Sequence, residues 1–146
     1  MKMQGLLVTV AAFGLMAVVG GQAVAADRQI PTAPADFLSK TSPIKVDEAD
    51  EATLKEGGKI YTKKCQKCHG ETGDGQGSAA GELTIKPTNL SAPGYMASRK
   101  DGQLLWITMN GSPNTEMKGF GPGSEQNYSE DDLWKVIAYM RSAFTK

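Results

Sequence analysis

The chain has 146 residues, in which sixteen lysines and arginines balance sixteen aspartates and glutamates. This balance argues against nucleic acid as a partner, because nucleic-acid binding needs a strongly basic face. The length suits a short leader followed by one domain of about 120 residues, and the single histidine and two cysteines limit the metal sites that the chain could build.

The N-terminus has the three-part layout of a secretory signal peptide. Lys2 gives a short positive start, residues 5–21 carry no charge, and the small-x-small pattern of residues 23–25 is typical of a cleavage site. An uncleaved membrane anchor is the alternative, but the apolar run is slightly shorter than the ~20 residues of a membrane span. We therefore predict a cleaved signal peptide over residues 1–26 and export to the periplasm. No later segment is apolar enough to cross a membrane.

Residues 27–46 are predicted to form an extended N-terminal arm, because they contain three prolines and little periodicity. This arm either lies over the domain or is mobile, and it is the segment that we would expect to wrap a protein partner. Residues 47–146 are predicted to form the domain. After cleavage the charge stays close to zero, since fifteen basic residues then face sixteen acidic ones.

The first predicted helix of the domain covers residues 47–64. Asp47 or Asp50 can cap its N-terminus, and the acidic residues near its start suit the positive end of the helix dipole. The Gly57-Gly58 pair inside it costs about 1 kcal/mol per residue relative to alanine. Such a pair is tolerated best where another helix must approach closely.

Two further helices follow. One covers residues 101–110, with Gly111 placed to end it. The other begins at Ser129, which can form a capping box with Asp132, and its apolar stripe continues to Phe144. The pattern predicts an all-α fold of three to four short helices with long loops. A chain with so much loop needs a large apolar group to pack around.

The stretch from Cys65 to His69 reads C-x-x-C-H and contains both cysteines and the single histidine. A structural zinc site needs four ligands, and the chain offers three candidates. A thioredoxin-like dithiol expects a βαβ setting, whose strand signals are absent. A disulfide would close a very small loop and stabilise little. Haem attachment uses both thiols and a histidine directly after them, so we predict one haem c, covalent through Cys65 and Cys68, with His69 as iron ligand.

The other axial ligand of the iron cannot be a second histidine of this chain, and methionine is the usual soft ligand in electron carriers. Met140 and Met109 lie in predicted helices, where packing in the core explains them. Met96 is a weak candidate in a loop. Met117 lies in a polar, glycine-rich loop between two helices, where an apolar side chain needs a reason. We therefore predict His69 and Met117 as the two metal ligands.

Five spaced patterns run through the domain in order: Gly58-x-x-Tyr61-x-x-x-Cys65-x-x-Cys68-His69-Gly70, Gly73-x-Gly75-x-Gly77, Lys86-Pro87-x-Asn89-Leu90, Asn110-Gly111-x-Pro113-x-x-x-Met117 and Leu133-Trp134-x-x-x-Ala138-Tyr139-x-Arg141. With these patterns, residues 51–144 resemble a class I c-type cytochrome, the monohaem kind of bacterial periplasms. The resemblance is specific in order and spacing, and it does not cover the arm.

The resemblance implies a cytochrome c fold in which Gly58 and Tyr61 meet the last helix near Tyr139. It also implies that a backbone carbonyl near Pro87 accepts a hydrogen bond from the His69 ring. The implied function is periplasmic electron transfer, by an electron carrier rather than an enzyme, either free or as the cytochrome subunit of a dehydrogenase or oxidase. The alternative is a haem enzyme or gas sensor with an open iron site.

One basic helix face bears on which kind of partner the protein would bind. Lys59, Lys63 and Lys67 stand four residues apart, and this face is either simply solvated or docks on an acidic patch of a redox protein. We expect such partners to bind briefly, through a small interface.

Overall fold

A computed structural model of the chain describes residues 30–145, so the predicted signal peptide lies outside the described residues. That part of the chain folds into six α-helices without a β-strand, and none of these helices is long and apolar enough to cross a membrane. They are α1 (Ala35–Leu38), α2 (Glu51–Lys64), α3 (Gln66–His69), α4 (Tyr95–Ser98), α5 (Asp101–Asn110) and α6 (Glu130–Phe144), with a 3-10 turn at Ala80–Glu82.

The all-α prediction is confirmed, and the three helices predicted from the sequence are the three longest, α2, α5 and α6. The expected number of three to four is exceeded because α1, α3 and α4 add three helices of four residues each. Helices of one turn leave almost no periodic signal in a sequence, since they present too few residues to define a face.

The two longest helices, α2 and α6, begin at side chains that cap them. The carboxylate of Asp50 accepts a hydrogen bond from the Thr53 amide at 2.6 Å, so α2 begins at Glu51 and Asp50, rather than Asp47, is its cap. Ser129 and Asp132 form the predicted capping box at the start of α6. Each of these bonds satisfies an amide that the first helical turn leaves without an intrahelical partner.

The glycine pair of α2 lies where α6 packs on it. A Cβ atom on Gly57 would overlap the backbone carbonyl of Lys135, and one on Gly58 would lie 3.1 Å from the Tyr139 ring. Tyr61, one turn further along α2, has its ring centroid 5.5 Å from that of Tyr139. The close approach of α6 therefore explains both glycines, and Gly57 makes the tighter contact.

The core lies between α2, α5 and α6, where Leu105 and Ile137 are fully shielded from solvent at 0% exposure. Arg141 of α6 ties this core to the segment between α4 and α5. Its guanidinium donates to the Met96 carbonyl at 2.6 Å and to the Asp101 carboxylate at 2.7 Å. The last helix is thus fastened to α4 and to the start of α5.

The described part of the N-terminal arm lies on the domain. One turn of helix, α1, interrupts the extended conformation that the prolines predicted, and it packs against α5. A Cβ atom on Gly102 would overlap the Phe37 carbonyl, so α1 rests directly on the backbone of α5. Lys40 pairs with Glu130 at 2.8 Å and adds a contact to the start of α6.

Candidate cofactor site

The end of α2 and the short helix α3 present the two cysteines and the histidine. The Cys65 amide donates to the Tyr61 carbonyl at 2.8 Å, and the Cys65 carbonyl accepts from the amides of Cys68 at 3.1 Å and His69 at 2.9 Å. The C-x-x-C-H pattern therefore lies on consecutive helical turns. The two thiols are free rather than joined as a disulfide.

The loop after His69 folds back onto α3 and fixes its C-terminal end. The Gly75 amide donates to the His69 carbonyl at 2.8 Å, and the Gly77 amide donates to the Cys68 carbonyl at 3.1 Å. A Cβ atom on Gly77 would overlap the carbonyl of Lys67, so glycine is required for this return. These bonds satisfy carbonyls that the end of a helix leaves open.

The imidazole of His69 is oriented by a carbonyl of a later loop. Its Nδ1 atom lies 3.1 Å from the carbonyl oxygen of Thr88. Because a carbonyl can only accept, Nδ1 carries the proton in this contact, and Nε2 is the nitrogen with which such a ring binds a metal ion. The sequence placed the acceptor near Pro87, and it is the carbonyl of the next residue. The Pro87 carbonyl faces Gly75, where a Cβ atom would come within 2.7 Å of it.

A cavity of about 630 Å³ adjoins α3. Cys65, Cys68, His69, Pro87 and Met117 all line it, so every site residue predicted from the sequence borders one space. Much of the remaining wall is apolar, including Ile30, Leu83, Leu90, Leu104, Ile107 and Met140. The volume falls within the range of about 300–1,000 Å³ that is usual for ligand and cofactor pockets.

The loop that carries Met117 is braced by its own hydrogen bonds. The Ser112 amide donates to the Met117 carbonyl at 3.0 Å, and the Met117 amide donates to the Thr115 hydroxyl at 3.1 Å. Gly111 and Lys118 pair as an isolated antiparallel bridge at the base of the loop. These bonds fix the backbone of the loop. They therefore also fix the point from which the Met117 side chain reaches the cavity.

Among the other methionines, Met140 also reaches the cavity. It lines the wall from α6 while belonging to the core, with 7% of its surface exposed. Met96 is buried in the core and Met109 packs against it, and neither belongs to the cavity lining. The apolar stripe of α6 predicted Met140 as a packing residue. A sequence pattern could not show that the same side chain also borders a cavity. Ile30 was missed for a different reason, because a lone apolar residue in a proline-rich arm carries no periodic signal.

Burial raises the pKa of the Cys65 thiol to about 12, and the neighbouring Cys68 adds to the rise. Redox-active C-x-x-C pairs need a thiol whose pKa is lowered, because the thiolate is the nucleophile. The environment of Cys65 therefore disfavours a redox dithiol. Among residues 30–145, no three His, Cys, Asp or Glu side chains are grouped so that they could hold a metal ion.

The donor set and the wall of the cavity fit a haem c. Two thiols three residues apart can each form a thioether, the adjacent imidazole can reach the iron, and a methionine sulfur borders the same space. The apolar side chains around them suit a large planar macrocycle. The glycine-rich return after His69 keeps the attachment segment close to the cavity.

The comparison with protein families decides the identity of the fold. The model of the family described as cytochrome c matches residues 54–144, which include the C-x-x-C-H motif and the Met117 loop. The chain belongs to the cytochrome c family. This cytochrome accordingly carries haem c, covalently bound through Cys65 and Cys68.

Solved structures similar to this cytochrome include the reducing HAO-like protein complex of Kuenenia stuttgartiensis, with 25% identity and a TM-score of 0.56, over 70% of this chain and 50% of that one. Cytochrome cL of Methylophaga aminisulfidivorans is 21% identical, with a TM-score of 0.48 over 66% of this chain and 58% of that one. Cytochrome cL of Hyphomicrobium denitrificans is 22% identical, with a TM-score of 0.48 over 75% and 62%. The chain thus spans about half to three fifths of the chains that it matches. A comparison with curated protein sequences gave no match.

Proposed function

We propose that this cytochrome is a periplasmic electron carrier whose haem iron is held by His69 and Met117. The observation that carries the proposal is that the imidazole, the thioether and both cysteine thiols border one largely apolar cavity. If His69 and Met117 both bind the iron, the protein itself would supply the ligands that a substrate or a gas would otherwise replace. Haem c supplies reversible one-electron exchange at its iron.

The two proposed ligands are held by the backbone, which suits a carrier. The Nδ1 contact of His69 with the Thr88 carbonyl orients the ring and raises the basicity of Nε2. The hydrogen-bonded loop of Met117 holds the sulfur, a ligand that favours the reduced iron and raises the reduction potential.

The rim of the cavity supports docking of a redox protein. Two glutamates, Glu116 and Glu125, border the cavity together with five lysines: Lys63, Lys64, Lys67, Lys86 and Lys118. Ile85 borders it as well and is exposed at 36%. A basic rim next to an exposed apolar side chain favours brief contact with an acidic patch, with attraction that weakens as salt is added.

The partner is a redox protein, which binds this cytochrome either transiently or in a permanent complex. The similar structure from Kuenenia stuttgartiensis belongs to a reducing HAO-like protein complex, which supports a role as the cytochrome subunit of an oxidoreductase. The predicted signal peptide supports the periplasmic location. From residue 30 onward one side of the arm packs on its own α5, and a role of the arm in wrapping a partner remains part of this proposal.

Optical spectra of the haem-loaded protein, before and after reduction, test the proposed ligation. The native ferric protein should show the weak far-red band of methionine-ligated iron, and its ferrous form should not bind carbon monoxide. Met117→Ala should abolish the band and open the iron to carbon monoxide. Met109→Ala is the matched control, because it removes a methionine outside the cavity lining and should change neither property.

Two results would contradict the proposal. A high-spin ferric spectrum with carbon monoxide binding in the native protein would indicate an open iron site, as in a haem enzyme or gas sensor. A band that survives in Met117→Ala but is lost in Met140→Ala would transfer the ligand role to Met140, the other methionine that borders the cavity.

A further inference from the structure

A buried glutamine of α5 fastens the N-terminal arm. Gln103 is only 9% exposed. Its side-chain oxygen accepts from the Ala33 amide at 2.8 Å, and its side-chain nitrogen donates to the Pro31 carbonyl at 2.9 Å. Ala33 is itself buried, at 3% exposure. Because buried polar groups need partners, Gln103 and residues 31–33 satisfy one another, and the glutamine acts as a two-point clamp on the arm.

The residue just before this clamp reaches the haem cavity. Ile30 lines the cavity, and so does Leu104, the neighbour of Gln103 on α5. The turn of α5 that holds the arm therefore also forms part of the cavity wall. A second anchor lies further along the arm, where the Phe37 carbonyl rests on Gly102.

We propose that Ile30 forms part of the wall of the haem pocket, and that Gln103, which holds Pro31 and Ala33, is the positioning residue that keeps Ile30 there. An apolar side chain in this place keeps water away from the haem. The ferric state carries one more positive charge than the ferrous state, so it loses more from a dry environment. The arm thereby raises the reduction potential. This inference rests on the haem c of the family and goes beyond the His69 and Met117 ligation proposed above.

Two variants test the wall and the clamp separately. Ile30→Ser makes the wall polar, whereas Gln103→Met keeps the length and the helix propensity of the side chain but loses both hydrogen bonds. We expect each to lower the midpoint potential measured by spectroelectrochemistry. The ferric-to-ferrous ratio at a fixed potential should rise about three- to tenfold, a fall of about 30–60 mV because a tenfold change for one electron is about 59 mV.

The control is Gln76→Met, which makes the same substitution at an exposed glutamine outside the lining of the haem cavity, and it should leave the potential unchanged. The far-red band is recorded for each variant, so that a potential altered by loss of an iron ligand is recognised. Failure of the proposed ligation would appear in the spectrum of the native protein. Failure of the present inference would appear only in the potentials.

An unchanged potential in Ile30→Ser would overturn the wall. A Gln103→Met protein with a lower melting temperature but an unchanged midpoint potential would overturn the positioning role. This result would mean that Gln103 supports only the fold. If Gln103→Met gives too little folded protein, Gly102→Ala displaces the arm through a different contact, since its methyl group would overlap the Phe37 carbonyl. It should lower the potential in the same direction, and no change would again count against the inference.

Discussion

At the scale of single residues, Tyr61 joins the first long helix to the haem attachment loop. Its hydroxyl donates to the Gly70 carbonyl at 2.7 Å, and its side chain is almost completely buried at 1% exposure. Its ring lies 5.5 Å from the Tyr139 ring and 5.2 Å from the Phe144 ring. One side chain thus packs α2 against α6 and holds the residue that follows His69.

Tyr61→Phe should destabilise the haem-loaded protein at neutral pH by about 0.5–1.5 kcal/mol, because the buried Gly70 carbonyl would lose its shorter hydrogen bond and keep only the one from the Gly73 amide. Chemical denaturation followed by far-UV circular dichroism measures this loss. Tyr139→Phe is the control, since its ring belongs to the same cluster and is less buried. Equal effects of the two substitutions would argue against a special role of the Tyr61 hydroxyl.

Tyr61 also affects how the stability of the fold changes at alkaline pH. Burial raises the pKa of the Tyr61 hydroxyl above its ordinary value of 10.0. A folded-state pKa above the unfolded one means that the protonated hydroxyl stabilises the fold below about pH 10, and that this stability declines as the pH rises through the folded-state pKa. Tyr61→Phe should therefore lose less stability than the native protein between about pH 8 and pH 11, and a parallel decline of both would contradict this assignment.

At the scale of elements, the contact of α2 with α6 depends on a residue without a side chain. Gly57→Ala favours α2 as a helix by about 1 kcal/mol, but the new methyl group would overlap the Lys135 carbonyl. A backbone atom cannot move aside as a flexible side chain does, and overpacking costs about 1–3 kcal/mol. We expect a net loss of stability in chemical denaturation. Gly81→Ala, where a Cβ atom would meet nothing within 4 Å, should be neutral, and a stabilised Gly57→Ala would disprove the close contact.

Local signals made these elements and the attachment motif predictable. The capping box at Ser129 and the C-x-x-C-H pattern each lie within a few residues, so one window of sequence contains the whole signal. The acceptor for the His69 ring was expected near Pro87 and lies one residue on, at Thr88, because which carbonyl faces the ring depends on the path of a loop. Ile30 on the cavity wall could not be predicted, since it is placed by a clamp on Gln103 far along the chain.

At the scale of the whole molecule, the cavity is large for the core that surrounds it. Its wall includes Leu90, Leu104 and Met140, which belong to the hydrophobic core, and apolar surface that a bound group covers contributes about 25 cal/mol per Å². The haem must therefore be counted as part of the core. Helices α5 and α6 each contribute core side chains to the wall of the cavity.

Removal of the haem should consequently remove the fold. A Cys65→Ala/Cys68→Ala variant cannot form the thioethers, and we expect its unfolding to lose cooperativity and its near-UV circular dichroism to disappear while some helix remains. Gln66→Ala, a substitution between the two cysteines, is the control and should attach haem and unfold sharply. A haem-free double variant that unfolds as cooperatively as the native protein would show that the polypeptide core suffices.

The partnership of α2 with α6 also sets an order of events in time. Glu56 and Lys135, which pair across the two helices at 2.7 Å, are 79 residues apart in the chain. Of the described helices, α6 is the last to be synthesised. Helix α2 therefore cannot pack against its main neighbour until the other described helices have been made. Until α6 packs on α2, the end of α2 lacks part of the surroundings that leave Cys65 and Cys68 half-buried in the folded chain. Because α6 packs on α2 late, haem can be attached to the two thiols before the fold partly encloses them.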